Sequence, residues 1–176
     1  GRLDDEVSVC ELMDEAAKYY GNILWPLSRI ILKKIEDVQK MDIPINMIAP
    51  SHGIIWRKDP AKIINSYVSW AKNTTKPKAV IVYETMWGAT EKMARLIAEG
   101  LVDSGIEAKL FDIAVADHTE VIKEMLNAKG FVIGSSTHDN DMLPAIAGFL
   151  EFLKGLKPEN RIACAFGSYG WGGGGV

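Results

Sequence analysis

The sequence predicts an α/β protein: a doubly wound parallel sheet forms its second half, and a mainly helical part precedes it. Three observations carry this. From residue 78 onward, short apolar runs rich in Val and Ile alternate with stretches of helical period, which implies parallel strands covered on both faces. The first of these runs passes directly into Thr85-Met86-Trp87-Gly88-Ala89-Thr90 and then a helical pattern, so a strand, a phosphate-sized loop and a helix N-terminus follow in succession. The ends of the first, third and fourth strands carry chemically rich loops, and the end of the second does not. Ligands of such sheets gather beyond the carboxyl ends of the strands, where strand order reverses, so strand two is expected outside strand one in the order 2-1-3-4-5.

Bulk properties set the limits. The 176 residues suffice for one large domain or one and a half small ones, with 48% hydrophobic and 24% charged residues, as in ordinary globular proteins. A net charge of −3 offers no basic field to nucleic acid or acidic lipid. No apolar run approaches the ~20 residues of a membrane span. Cys10 and Cys164 lie far apart and read as reduced, buried thiols of a cytoplasmic protein rather than a disulfide. The acidic start Gly1-Arg2-Leu3-Asp4-Asp5-Glu6 does not resemble a signal peptide, and its lack of Met suggests a piece of something longer.

The first helix is expected to present Leu12, Met13, Ala16, Ala17 and Tyr20 on one face, with Asp4 or Asp5 as cap and a break at Gly21-Asn22. A second stripe follows: Ile23, Leu24, Leu27, Ile30, Ile31, Ile35 and Val38, with Pro26 in its first turns and Lys33, Lys34 and Lys40 toward its end. Asp42-Ile43-Pro44 reads as a turn and residues 45–49 as a short buried strand ending at Pro50-Ser51-His52-Gly53. Asp59 and Pro60 open another helix as N-cap and first helical residue, with Ile63, Ile64, Tyr67, Val68 and Trp70-Ala71 on its apolar side. The polar, proline-bearing stretch 73–77 divides the chain into units 1–75 and 76–176.

In the second unit a strand is expected near 78–84. A helix near 89–103 follows, with Met93, Leu96, Ile97 and Leu101 inward and Ser104-Gly105 at its end. Next come a strand at 106–113 and a helix near 118–128 behind an Asp117–Glu120 capping box. A fully apolar strand at 131–134 precedes a helix opened by Pro144, with Ile146, Phe149, Leu150 and Leu153 inward; a strand at 161–166 comes last.

The first loop carries the chemistry. N–H groups in a helix's first turn lack intrahelical partners, and the helix dipole favours an anion. Thr85 and Thr90 add hydroxyls, and the loop holds no Lys or Arg. A phosphate kept by neutral donors suits a tightly held cofactor better than a nucleotide in transit. The Walker pattern would need a Lys, and the dinucleotide pattern three spaced glycines where only Gly88 stands. Flavin mononucleotide, FMN, is the reading that remains. The second loop, Ser135-Ser136-Thr137-His138-Asp139-Asn140-Asp141, and the third, Gly167-Ser168-Tyr169-Gly170-Trp171-Gly172 with the glycines up to 175, complete the expected site. An isoalloxazine needs flat apolar faces, which Trp87, Tyr169 and Trp171 can supply, and close backbone approach, which Gly170 and Gly172 permit. The hydroxyls of Ser135, Ser136 and Thr137 are expected to reach ribityl or phosphate oxygens. Glu84, Asp139 and Asp141 are expected to lower the flavin potential by disfavouring further negative charge. Each loop alone would pass for a turn, the terminal glycines for a flexible tail and His138 for an ordinary loop histidine; their convergence favours the cofactor.

Residues 78–176 resemble the flavodoxin-like domain, with Thr85–Thr90 as its phosphate loop. Preceded by Pro50-Ser51-His52-Gly53 and a Pro-capped helix, they resemble the flavo-diiron proteins (A-type flavoproteins), in which a metallo-β-lactamase-like domain binding two irons precedes an FMN domain. The loop Ser168-Tyr169-Gly170-Trp171-Gly172-Gly173-Gly174 also resembles that family's third flavin loop. The resemblance implies that residues 1–75 are the C-terminal part of the diiron domain, with His52 as its last histidine ligand. On bare chemistry His52 is a loop imidazole suited to iron or zinc, and more often such a residue is structural. The family's paired His-x-Glu-x-Asp-His ligands, a further histidine and a bridging aspartate are not in this sequence. The last strand and helix of a flavodoxin-like sheet are also missing, so a central fragment is expected, and one histidine cannot hold two irons.

For the parent protein the resemblance implies reduction of O2 to water or of NO to N2O. Electrons would come from rubredoxin or a flavoprotein reductase and pass singly through FMN. It further implies a cytoplasmic head-to-tail homodimer or tetramer, to whose contact an exposed Trp25 or Trp56 could contribute. The alternatives are an FMN electron carrier with a structural appendage, and an interaction fragment that holds no flavin.

Overall fold

A computed structural model describes residues 2–171. Helix α1 (Val9–Tyr19), a π-helical turn (Tyr20–Leu24), a 3-10 turn (Trp25–Leu27), α2 (Ser28–Lys40) and α3 (Pro60–Ala71) make up the first part. The sheet part follows as β1 (Lys76–Glu84), α4 (Ala89–Asp103), β2 (Glu107–Asp112), α5 (His118–Met125), β3 (Ala128–His138), β4 (Asp141–Met142), α6 (Pro144–Leu156) and β5 (Ile162–Ser168). The parallel order is β2-β1-β3-β5, while β4 folds back antiparallel on β3. Strand two therefore lies outside strand one, as the loop chemistry required.

Alternation along β1 divides the core in two. Val80 and Val82 pack with α5 and α6 residues such as Val121, Met125 and Phe149; Ile81 and Tyr83 pack against Ala94, Ile97 and Leu101 of α4. The helices of the first part lie on the α5–α6 side, where Tyr20, Trp25 and Ala71 join the same cluster. Aromatic side chains bury ~150–250 Å² each, so Tyr20 and Trp25 anchor this layer. Polar ties reinforce it. Trp25 Nε1 donates to Asn73 Oδ1 at 2.9 Å, and Arg161 lies over the Trp25 ring at 5.6 Å while donating to the carbonyls of Leu126, Glu159 and Asn73. Burial pulls the Arg161 guanidinium down to about 10.

Several expectations are corrected. Trp25 and Trp56 are 2% and 5% exposed, so neither is free for a contact between subunits. Gly21 breaks nothing: the helix runs on through a π turn, and Gly21 lets it approach α5, since a Cβ there would lie 3.3 Å from Ile122 Cγ2. Asp4 does not cap α1, whose N-cap is Ser8. It is buried and accepts from the N–H groups of Arg57, Lys58 and Asp59, bolting the chain start to the entry of α3. Residues 45–49 are no buried strand. Ile45 and Met47 are exposed, and only Ile48 forms an isolated bridge, to Trp56. Much of the second stripe is exposed as well: Ile23, Leu27, Ile30 and Val38. On α4, Met93 and Leu96 face outward and Ala94 takes the inner position. Asp117 caps α5 through the Thr119 N–H, but Glu120 binds Lys18 and Lys123 instead of closing a box. Both cysteines are free, as expected, but exposed rather than buried. Among the described residues no helix is long and apolar enough to cross a membrane.

Candidate functional site

The site is built where β1, β3 and β5 end. Parallel pairing sets Glu84 beside Ser135, and Ser136 beside Ser168, so the three tips are in register. Gly88 turns the chain from loop to helix at φ +80°, a left-handed value that glycine takes without strain, and the space where a Cβ would stand is open. The Gly88 N–H donates to Thr85 Oγ1 at 3.0 Å, which closes the loop on itself. Helix α4 has no side-chain cap, so the N–H groups of Ala89, Thr90 and Glu91 face outward without intrahelical acceptors.

Three hydroxyls meet beneath this loop. Thr90 Oγ1, fully buried, lies 3.0 Å from Ser136 Oγ and 2.8 Å from Ser168 Oγ, and the two serine oxygens are 3.4 Å apart. The Met86 N–H donates to Ser136 Oγ at 3.3 Å. One residue from each tip thus enters a single neutral cluster. Above it, Trp87 and Trp171 are 89% and 92% exposed and Tyr169 is 59% exposed. Large aromatic surfaces left in water at one sheet edge are what a flat ligand would cover.

The structure redistributes the second loop. Residues 135–138 continue β3 rather than leaving it, and Asp139-Asn140, at φ +49° and +64°, form a two-residue hairpin to β4. Asp and Asn tolerate that left-handed turn. Alternation then separates the hydroxyls. Ser136 turns its hydroxyl to the Thr90 cluster, while Ser135, Ser136 and Thr137 all border a cavity of about 250 Å³ with Ile146 and Leu150 of α6. Ser135 Oγ accepts from the Leu143 N–H at 2.9 Å and donates to the Ser136 carbonyl at 2.8 Å. His138, Asp139 and Asn140 are exposed at the hairpin, His138 facing its neighbour Asp139 at 3.5 Å. Glu84 Oε2 accepts from the Ile146 N–H at 3.1 Å, a bond to α6 that no local pattern around Glu84 foretells. Gly167 and Ser168 end β5, Tyr169, Gly170 and Trp171 follow it, and Gly172 lies outside the described residues.

Two supports escaped the reading. A Cβ on Gly134 would lie 2.1 Å from the Phe166 ring, so Phe166 crosses β3 where no side chain stands. Tyr83, just before the loop, sits against α4, where burial first, then Glu91 and Asp112, push its phenol up.

A neutral, uncapped helix start, three clustered hydroxyls and uncovered aromatics fit the phosphate and ring of FMN. Iron does not fit this chain alone. His52 is exposed, with its ring 6.1 Å from that of Tyr19, on a largely apolar cavity of about 600 Å³ that Trp56, Tyr67 and Glu15 also line. Among the described residues no three His, Cys, Asp or Glu side chains group to hold a metal ion.

The flavodoxin family matches residues 81–175. Over 98% of its length the chain is 54% identical to a nitric oxide reductase of Moorella thermoacetica, covering 43% of that protein. Over 99% it is 43% identical to an anaerobic nitric oxide reductase flavorubredoxin of Vibrio vulnificus, covering 36% of it. Among solved structures, rubredoxin oxygen:oxidoreductase from Desulfovibrio gigas superposes on 97% of the chain with a TM-score of 0.94 and 38% identity, the chain spanning 43% of it. The flavodiiron protein from Giardia intestinalis covers 98% with a TM-score of 0.93 and 30% identity, the chain spanning 42% of it. The chain thus spans less than half the length of each relative.

Proposed function

Because this chain belongs to the flavodiiron protein family and carries its flavodoxin domain, we propose that it is the FMN-holding part of a reductase of nitric oxide, O2 or both. The observation that supports this most is the meeting of Thr90, Ser136 and Ser168 beside the uncapped start of α4. When bound, FMN supplies a two-electron store that can be drawn down one electron at a time. The residues of the chain position it. The N–H groups of Ala89, Thr90 and Glu91, with the Thr85 hydroxyl, hold the phosphate through neutral donors, and the buried Thr90 hydroxyl braces the loop from beneath through Ser136 and Ser168. Trp87, Tyr169 and Trp171 cover the ring and keep water from its faces. The backbone of 135–140 and 167–170 borders the remainder.

Residues 1–75 are assigned to the metallo-β-lactamase-like domain of the parent and 76–176 to its flavin domain. His52 contributes one imidazole to a diiron centre. Its other ligands fall within the part of the relatives' length that this chain does not span. Rubredoxin or a flavoprotein reductase is the electron donor in this reading, and the parent is a cytoplasmic head-to-tail dimer or tetramer.

The test uses the parent protein. His52→Ala should lower bound iron and slow NO and O2 consumption while FMN content stays unchanged. Unchanged iron would remove His52 from the ligand set, and a parent that carries no flavin would overturn the reading as a whole.

A further inference from the structure

Three helices of the sheet part, α4, α5 and α6, begin at the same edge, each with the positive end of its dipole at the carboxyl ends of the strands. They are not alike. Helix α5 is capped by its own Asp117. Helix α6 follows Leu143, which has no capping side chain, and opens on Pro144, which has no N–H. Its start is served by the strand tips instead: the Ile146 N–H by the Glu84 carboxylate at 3.1 Å, and the Leu143 N–H by the Ser135 hydroxyl at 2.9 Å. Helix α4 alone of the three has no side-chain acceptor on its first turn.

Glu84 and Ser135 are paired neighbours on β1 and β3, and each immediately precedes a residue of the phosphate loop or the hydroxyl cluster. Thr85 follows Glu84, and Ser136, bound to Thr90, follows Ser135. Alternation sends Glu84 and Ser135 to α6 while Ser136 turns to α4. Any slack between the strand tips and α6 therefore passes to the next residue, where the phosphate donors are set.

We propose that Glu84 and Ser135 are positioning residues for the cofactor phosphate: by capping α6 from the strand tips they fix the stem of the 85–90 loop. The proposal rests on FMN binding at this loop. Its readout is the ratio of riboflavin to FMN dissociation constants, because the two ligands differ only in the phosphate. A general loss of stability weakens both and leaves the ratio unchanged; a misplaced phosphate loop weakens FMN alone.

The experiment titrates both ligands into the flavin-free protein by quenching of flavin fluorescence, for the wild type, Glu84→Ala, Glu84→Gln and Ser135→Ala. Loss of a cap is equivalent to roughly a fivefold or greater change in an equilibrium constant. Glu84→Ala and Ser135→Ala should each reduce the ratio at least about that far, with riboflavin affinity nearly constant. Glu84→Gln retains an acceptor oxygen and should recover most of the ratio. If both ligands weaken in parallel, or the ratio holds in the alanine variants, the proposal is overturned. Should Glu84→Ala not fold, Ser135→Ala and Glu84→Gln decide it by the same ratio. A wild type that binds neither flavin, or both equally, refutes the FMN reading rather than this refinement of it.

Discussion

Gly88 shows how one residue can set a site. At φ +80° a glycine is relaxed, whereas a β-branched residue is strained by ~1–3 kcal/mol and projects into the space left for the phosphate. Gly88→Val should strip FMN from the protein, read as loss of flavin absorbance; retained absorbance would mean that the loop does not cradle phosphate. Gly134 works by the opposite logic, since its φ is ordinary and the space is taken by Phe166. Gly134→Ala should lower the stability by ~1–3 kcal/mol in denaturant unfolding, because the ring must leave its packing against Ile81 and Tyr83. The loop glycine was legible from sequence, because a Ser/Thr/Gly turn between strand and helix has a known backbone requirement. The strand glycine was not, because its reason is a side chain 32 positions later in the chain, brought alongside by the pairing of Gly134 with Phe166.

Legibility differed between elements in the same way. Helix α4 was readable to the residue, because its start and its Ser104-Gly105 stop are local chemistry, the stop with Gly105 at φ +76° and Ile106 N–H bonded back to Leu101. Helix α3 was equally plain: Asp59 accepts from the Lys62 N–H, with Pro60 at the first position. Asp59→Ala should cost ~1 kcal/mol in thermal unfolding, and no change in midpoint would show the cap to be idle. Residues 45–49 failed because a β-rich run becomes a strand only with a partner, and this one finds a single bridge. The polar second half of β3 failed for the converse reason: Ser135 to His138 read as loop, yet β5 pairs with Ser135 and Ser136, and β4 with Thr137 and His138, and together they carry them as strand. The packing of α1 on α5 predicts a pH response. Hydrogen bonds from Thr119 hold Asp117 below the usual carboxylate range, and bonds from Lys123 and Lys18 do the same for Glu120. At Asp4 burial pushes the carboxyl up, and the N–H groups of Lys58, Asp59 and Arg57 pull it further down. Groups with depressed values stabilise fully above their unfolded pKa of about 4 and lose that contribution as pH falls through the folded values. The thermal midpoint should therefore decline below about pH 5. Asp4→Asn should flatten part of that decline, and an identical slope in the variant would exclude Asp4 as a source.

Across the whole molecule, the first part and the sheet share one core on the α5–α6 side. Tyr20, Trp25 and Ala71 are as much a part of it as Val80 and Phe149. The polar stretch near 73–77 read as a seam, yet Asn73 is buried and bound by Trp25, Asn160 and Arg161. Sequence reading could not see this, since a polar residue between elements looks the same whether solvent or a buried guanidinium satisfies it. What it did capture was the order of the strands and the convergence of three loops, because both follow from where chemistry is concentrated along the chain. The account's central claim is that these three tips hold one FMN. Its most direct test is amide chemical-shift mapping of the flavin-free protein as FMN is added. The account predicts that the large shifts fall together in 85–91, 135–140 and 167–172 and saturate at one FMN per chain. Shifts confined to one of these segments, or centred elsewhere, would contradict it.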